Sequence, residues 1–178
     1  MIRLKSLIRE MSDRDIQRCL EKIRNKQYSF IAAGDNGKVY QIDGEDKVFK
    51  ITGDRDEYEI AEIIVNRESE FTTFIPVYYV DGNNMYIVAN ADTLPGTMRK
   101  EIDMFMQDFA LFSRDEGGEV SIFDFMEYAG EINPQLDNFL TALQVDIQKL
   151  GISEFELDFD FRADNLMIYN GKMVMVDW

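Results

Sequence analysis

The chain has 178 residues, 46% apolar and 30% charged, with 34 Asp and Glu against 19 Lys and Arg for a formal net charge of −15. A body this acidic disfavours nucleic acid, whose phosphates need clustered cations. With no His at all, Ser-His-Asp and Cys-His catalysis and the usual zinc sites are excluded, which leaves carboxylate and Mg²⁺ chemistry as the natural option.

The lone Cys19 rules out an intrachain disulfide framework and suits a reducing, cytoplasmic setting. No apolar run is long enough to span a bilayer, and no signal-peptide core follows Met1-Ile2-Arg3-Leu4-Lys5. The charge is uneven: residues 1–27 hold eight Lys/Arg against four Asp/Glu, and the remainder holds eleven against thirty. Residues 1–27 read as a basic helical pair. Ser12-Asp13-Arg14-Asp15 resembles a capping box that starts the second helix, with Ile16, Cys19, Leu20 and Ile23 on one side. Packing on the following sheet is favoured for this pair over binding an acidic partner.

Residues 28–92 read as a strand-rich unit. Phe30 to Ile42 gives strand, glycine-containing turn and strand; Asp43-Gly44-Glu45-Asp46 turns again into Lys47-Val48-Phe49-Lys50-Ile51. Gly34 and Gly37 are free of Cβ, so amides of the turn Gly34-Asp35-Asn36-Gly37 can approach phosphate oxygens closely. Ordinary hairpin glycines are the plain alternative. Lys50 lies in an apolar strand, where an ammonium is costly unless paired. Asp56 to Val65 reads as a helix with Ile60, Ile63 and Ile64 as its apolar stripe. Glu59 lies on the border of that stripe, four residues before Ile63, and a solvated helix face is the plain reading for it as for Glu57 and Glu62. Phe74 to Val80 and Met85 to Asn90 supply two more strands around the turn Asp81-Gly82-Asn83-Asn84.

Residues 93–178 turn helical. Met98, Ile102, Phe105, Met106 and Phe109 mark an amphipathic helix over about 97–113. Ser121 caps a short helix through Tyr128. Pro134 opens a longer one ending before Gly151, with Phe139, Leu140, Leu143, Val145, Ile147 and Leu150 as its core face.

Asp160 and Asn165 then sit five residues apart, and an Asn170-Gly171 hairpin turn separates Leu166-Met167-Ile168-Tyr169 from Lys172-Met173-Val174-Met175-Val176. The hairpin returns Asp177 toward Asn165. Asp160 suits orientation or deprotonation of a hydroxyl, while Asn165 and Asp177 offer oxygen donors to Mg²⁺. A loop, a hairpin and a solvated carboxylate is the plain alternative for the same residues.

Together these segments resemble the protein kinase and aminoglycoside-phosphotransferase-like superfamily, and in particular short kinase-like proteins of bacteriophages. Ala32 to Tyr40 is similar to the glycine-rich loop, Val48 to Ile51 to the strand bearing the phosphate-binding lysine, Asp160 to Asn165 to the catalytic loop, and Val176-Asp177-Trp178 to the metal-binding strand end. The resemblance implies an α+β kinase-like fold. Its small lobe is a five-strand antiparallel sheet with one helix, and its minimal helical large lobe ends at the metal-binding hairpin. It implies ATP and Mg²⁺ as cofactors and transfer of the γ-phosphoryl group to a hydroxyl acceptor. Asp160, Lys50 and Asn165 become catalytic. Gly34, Asp35, Asn36, Gly37, Val39, Lys50, Glu59 and the backbone of Ala89, Asn90 and Ala91 become nucleotide-binding, the last three at a hinge Asn90-Ala91-Asp92, and Asn165 with Asp177 metal-binding. The resemblance also implies a helix carboxylate paired with Lys50, with Glu59 preferred and Glu57 and Glu62 as alternatives.

Three positions depart from the pattern: Ala32 replaces the first glycine, Asp158 stands where a His is usual, and Arg162 follows the catalytic Asp by two. Trp178 ends the sequence where an activation segment would begin, either as a natural terminus like that of the short phage proteins or as the cut end of a longer chain, so the acceptor stays open between a small molecule and a host or partner protein. A pseudokinase-type module that binds or inhibits a partner is the alternative function. An acidic nucleic-acid mimic has only net charge to support it.

Overall fold

The computed structural model describes residues 4–34, 37–67, 70–117, 120–151 and 161–177, and side chains from residue 13 onward. Two compact units emerge: Met1–Asn66 with Pro76–Asn90, and Arg67–Ile75 with Ala91–Trp178. Residues 67–75 thus leave the strand-rich part of the chain for the helical one.

The first unit begins with α1 (Leu4–Arg24), a single helix in place of the expected pair. Nothing between Leu4 and Arg24 is Gly or Pro, so Ser12-Asp13 lacks a breaker and the helix runs through it. Strands β1 (Tyr28–Ala33), β2 (Gly37–Ile42), β3 (Lys47–Thr52), β4 (Val77–Val80) and β5 (Met85–Ala89) form one sheet in the order β1-β2-β3-β5-β4. Every neighbouring pair is antiparallel. Helix α2 (Arg55–Asn66) stands between β3 and β4 in sequence. Its start is fixed by Asp54, whose carboxylate accepts from the amides of Asp56 at 2.9 Å and Glu57 at 3.2 Å. Such a cap contributes about 1 kcal/mol.

Alternation along β3 sends Phe49 to one face of the sheet and Val48, Lys50 and Thr52 to the other. On the Phe49 face, Ile16, Cys19 and Leu20 of α1 pack with Ile42, Phe49 and Ile87. Tyr28 and Tyr40 add ring contacts to Phe49 at 5.0 and 4.8 Å. Arg18 donates from two nitrogens to Glu45 at 2.8 and 2.7 Å, and Lys22 adds a third bond at 2.6 Å, so α1 is clipped to the β2–β3 turn. The basic helix therefore packs on the sheet, as expected. The opposite face takes α2, through buried Ile60, Ala61 and Ile64.

In the second unit, α3 (Gly96–Asp115), α4 (Ile122–Tyr128) and α5 (Pro134–Leu150) follow the sequence closely. Ser121 and Asp124 form a reciprocal capping box at the start of α4. Asn133 caps α5 ahead of Pro134, and Gly151 ends it with φ of 75°. Phe125 of α4 meets Phe105, Phe109 and Phe112 of α3 at 5.2, 5.7 and 5.3 Å. Leu136, Leu140, Leu143 and Ile147 of α5 are fully buried, but Val145 is 48% exposed. Two residues past Leu143, it turns about 200° away from the core stripe.

A small antiparallel sheet completes the unit: β6 (Asp92–Thr93), β7 (Leu166–Tyr169) and β8 (Lys172–Met175), in that order. Asn170 and Gly171, at φ of 51° and 76°, make the tight β7–β8 turn. The predicted strand from Phe74 starts only at Val77, after Pro76. Phe74 instead bridges Met175 in parallel, and β8 stops one residue before Val176. No helix among the described residues is long and apolar enough to cross a membrane.

Candidate functional site

The sequence-predicted residues fall into two groups, one in each unit. In the first, Lys50 of β3 is 8% exposed and its ammonium lies 2.5 Å from Glu57 Oε1. Glu57 is 2% exposed. The hydroxyl of Tyr86 also donates to its Oε1, and that of Thr52 donates to Oε2 at 2.5 Å. Ammonium and carboxylate thus compensate each other away from water, where an uncompensated charge costs several kcal/mol. Among the described residues, no buried side-chain nitrogen or oxygen lacks a partner.

The partner is Glu57 and not Glu59, whose carboxylate takes Arg55 at 2.7 Å on the exposed side of α2. Glu62 is likewise exposed. The stripe that enters the core is Ile60, Ala61 and Ile64, while Ile63 is half-buried. Extending that stripe back one turn reaches Glu57, so the signal was present in the spacing. Thr52 and Tyr86 were missed altogether. Thr52 shares Lys50's parity on β3, and Tyr86 is its register partner on β5.

Val39 is the register partner of Lys50 on β2 and is half-buried. The turn before it is closed by the Gly34 amide donating to the Gly37 carbonyl at 3.0 Å; Asp35 and Asn36 lie outside the described residues. A Cβ on Gly37 would meet the Ile51 carbonyl oxygen at 2.8 Å and Lys50 Cε at 3.1 Å. Glycine there is required by the strand beside it. A Cβ on Gly34 would meet nothing within 4 Å. Ala89 is buried, and its amide donates to Pro76 at 3.1 Å, while that of Asn90 donates to Asp46 at 2.9 Å. Two of the amides expected to face a base are therefore engaged by the protein itself, and Ala91 belongs to the second unit.

In the second group, a 3-10 turn (Ala163–Asn165) leads into β7. The Asn165 amide donates to the Arg162 carbonyl at 3.0 Å, and its own carbonyl accepts from the Val176 amide at 2.9 Å. Since Leu166 pairs with Met175, Asn165 and the segment Val176-Asp177 lie side by side at the open end of the hairpin. Asn165 and Asp177 are both half-buried. Arg99 of α3 pairs with Asp164 and steadies the turn. Phe161, buried just before it, faces Phe139 of α5 with ring centres 6.2 Å apart. Asp160 lies outside the described residues, as does Trp178. Among the described residues, no group of three or more His, Cys, Asp or Glu is placed to hold a metal ion. The donors at the hairpin end are one amide and one carboxylate. Two oxygen ligands suit Mg²⁺, which keeps several waters and takes further oxygens from phosphates.

No protein-family model matches the chain, and no curated protein matches it in sequence. Among solved structures, APH(2″)-IIa in a ternary complex with streptomycin and ATP aligns over 99% of this chain and 71% of its own, with a TM-score of 0.38 and 17% identity. A likeness of that degree is too distant to carry an argument about this chain.

Proposed function

We propose that this protein is a kinase-like phosphotransferase that uses ATP with Mg²⁺. The observation that carries the reading is the Lys50–Glu57 pair on the α2 face of the sheet, with Thr52 and Tyr86 holding the carboxylate in place. A lysine aimed by a fixed carboxylate serves to grip phosphate oxygens. In this reading the glycine turn before Val39 offers its amides to the phosphates, and Lys50 neutralises part of their charge. Asn165 and Asp177 would hold Mg²⁺, which when bound supplies charge neutralisation at the phosphates. Asp160, by its place in the sequence, would orient the acceptor hydroxyl and take its proton. The acceptor is a small molecule or a protein hydroxyl.

A second reading keeps nucleotide binding without transfer, in a module that acts through a partner protein. It differs from the first in transfer alone, since the Lys50–Glu57 pair would hold a nucleotide in both.

Calorimetry of the purified protein with ATP, with and without Mg²⁺, tests what both readings share. Saturable, Mg²⁺-dependent binding that is lost in Lys50→Met supports them. Heat-silent titrations in the folded wild type, together with no retention on an ATP resin, contradict both.

A further inference from the structure

Asp146 of α5 is 1% exposed, and nothing in the proposed chemistry uses it. Its Oδ2 accepts from the amides of Thr72 at 2.6 Å and Thr73 at 2.9 Å, and from their hydroxyls at 3.2 and 2.9 Å. Its Oδ1 accepts from Lys149 at 2.8 Å. Burial pushes this carboxyl up, but the bonds from Lys149, Thr72 and Thr73 outweigh it and hold the group below its ordinary value. A buried, fully satisfied polar network of this kind is stiff, and removing one member strands the others.

The same segment is tied to the end of α5 twice more. Arg67 donates to the Lys149 carbonyl at 3.0 Å, and Lys149 donates to the Glu70 carbonyl at 2.6 Å. The segment in turn carries β8: the Met175 amide donates to the Thr73 carbonyl at 2.7 Å, and the Ile75 amide to the Met175 carbonyl at 2.9 Å. The next amide along, that of Val176, reaches Asn165. Hydrogen bonds joined through the backbone of Thr73, Met175 and Val176 therefore lead from the Asp146 carboxylate to Asn165, beside Asp177.

We propose that Asp146 is a positioning residue for that pair, fixing the strand end on which Asp177 sits. The proposal rests on the reading of Asn165 and Asp177 as ligands of a divalent cation. An apolar side chain at 146 would fill the same space but leave the Thr72 and Thr73 amides unpaired and β8 without its anchor.

The test is a titration of the full chain with Mn²⁺ as a paramagnetic probe, with a non-hydrolysable ATP analogue present, comparing wild type, Asp146→Asn and Thr73→Val. Removing a partner that orients metal ligands costs about 10–100-fold in metal affinity. Asp146→Asn is therefore expected to weaken Mn²⁺ binding by about tenfold or more, and Thr73→Val less, in the same direction. Affinity for the analogue without metal should stay within about twofold in both, a split that general loss of structure does not produce. Folded variants with wild-type Mn²⁺ affinity overturn the positioning role alone. If Asp146→Asn does not fold, Thr73→Val, which removes only one hydroxyl, decides the matter by the same criterion. A wild type that takes no Mn²⁺ overturns the ligand assignment and this proposal with it.

Discussion

The amide of Val176 donates to the carbonyl of Asn165 at 2.9 Å, so the residues on either side of the β7–β8 hairpin are held in register at its open end. The Asn-Gly turn sets that register: with Tyr169 opposite Lys172 and Leu166 opposite Met175, Asn165 falls beside Val176. Asn165→Ala and Asp177→Ala each remove one oxygen donor without touching this backbone bond. Both are expected to lower phosphoryl transfer at least ~100-fold while changing unfolding free energy by about 1 kcal/mol. Steady-state assays paired with urea denaturation measure the two effects separately.

Glu57 receives three donors, so its removal should cost more than that of any one donor. Glu57→Gln leaves Lys50 buried beside a neutral partner, and breaking a buried pair from one side costs about 3–5 kcal/mol. Tyr86→Phe removes one hydroxyl and should cost about 1 kcal/mol. Lys50→Met with Glu57→Gln should cost less than the two single changes added together, because each alone strands the other charge. Denaturant unfolding of the four proteins in this cycle measures the coupling, and additive costs would count against a paired lysine.

The two glycines of the first hairpin should behave oppositely. Gly37→Ala places a methyl against the Ile51 carbonyl and Lys50 Cε, and is expected to lower stability by about 1–3 kcal/mol. Gly34→Ala meets nothing, so the fold should be unaffected. If the turn amides approach phosphate, Gly34→Ala weakens ATP binding with no loss in Tm. Calorimetry beside thermal unfolding of each variant checks this.

Cys19 reports on the docking of α1. It is fully buried, and burial pushes its thiol up, so labelling requires α1 to open. Glu45 is drawn from its ordinary 4.5 down to about 2, chiefly by the hydrogen bond from Arg18, against burial, with Lys22 assisting. A carboxyl depressed in the folded state adds stability above its ordinary value and loses it as pH falls through the depressed one. Glu45→Gln should therefore speed thiol labelling at pH 8 by about 5–30-fold, corresponding to 1–2 kcal/mol. Its stability deficit against wild type should shrink between pH 4.5 and 2, as urea unfolding across that range will show.

Much of this fold was legible because its signals are local. The Asn170-Gly171 turn, the Ser121 box, Pro134 and Gly151 each specify backbone geometry by their own chemistry, and the strands and α3 to α5 followed. α1 is one helix where a pair is expected, because a capping motif ends nothing unless a breaker accompanies it. Glu59 borders the stripe only when Ile63 stands in it in place of Ala61, whose small side chain lies fully buried. Thr52 is legible from its parity with Lys50 on β3, but Tyr86 and Asp146 leave no local trace. Their roles come from cross-strand register and from a contact spanning more than seventy residues, which spacing along the chain does not encode.

The most direct measurement is transfer from γ-labelled ATP. Wild type and Asp177→Ala are each incubated with Mg²⁺, cell lysate and a panel of small hydroxyl compounds, and label is followed into protein, small acceptor and free phosphate. The account predicts Mg²⁺-dependent label in at least one of these fractions with wild type, and background with Asp177→Ala. Background from a folded wild type that binds Mg²⁺-ATP, or equal labelling by both proteins, would contradict it.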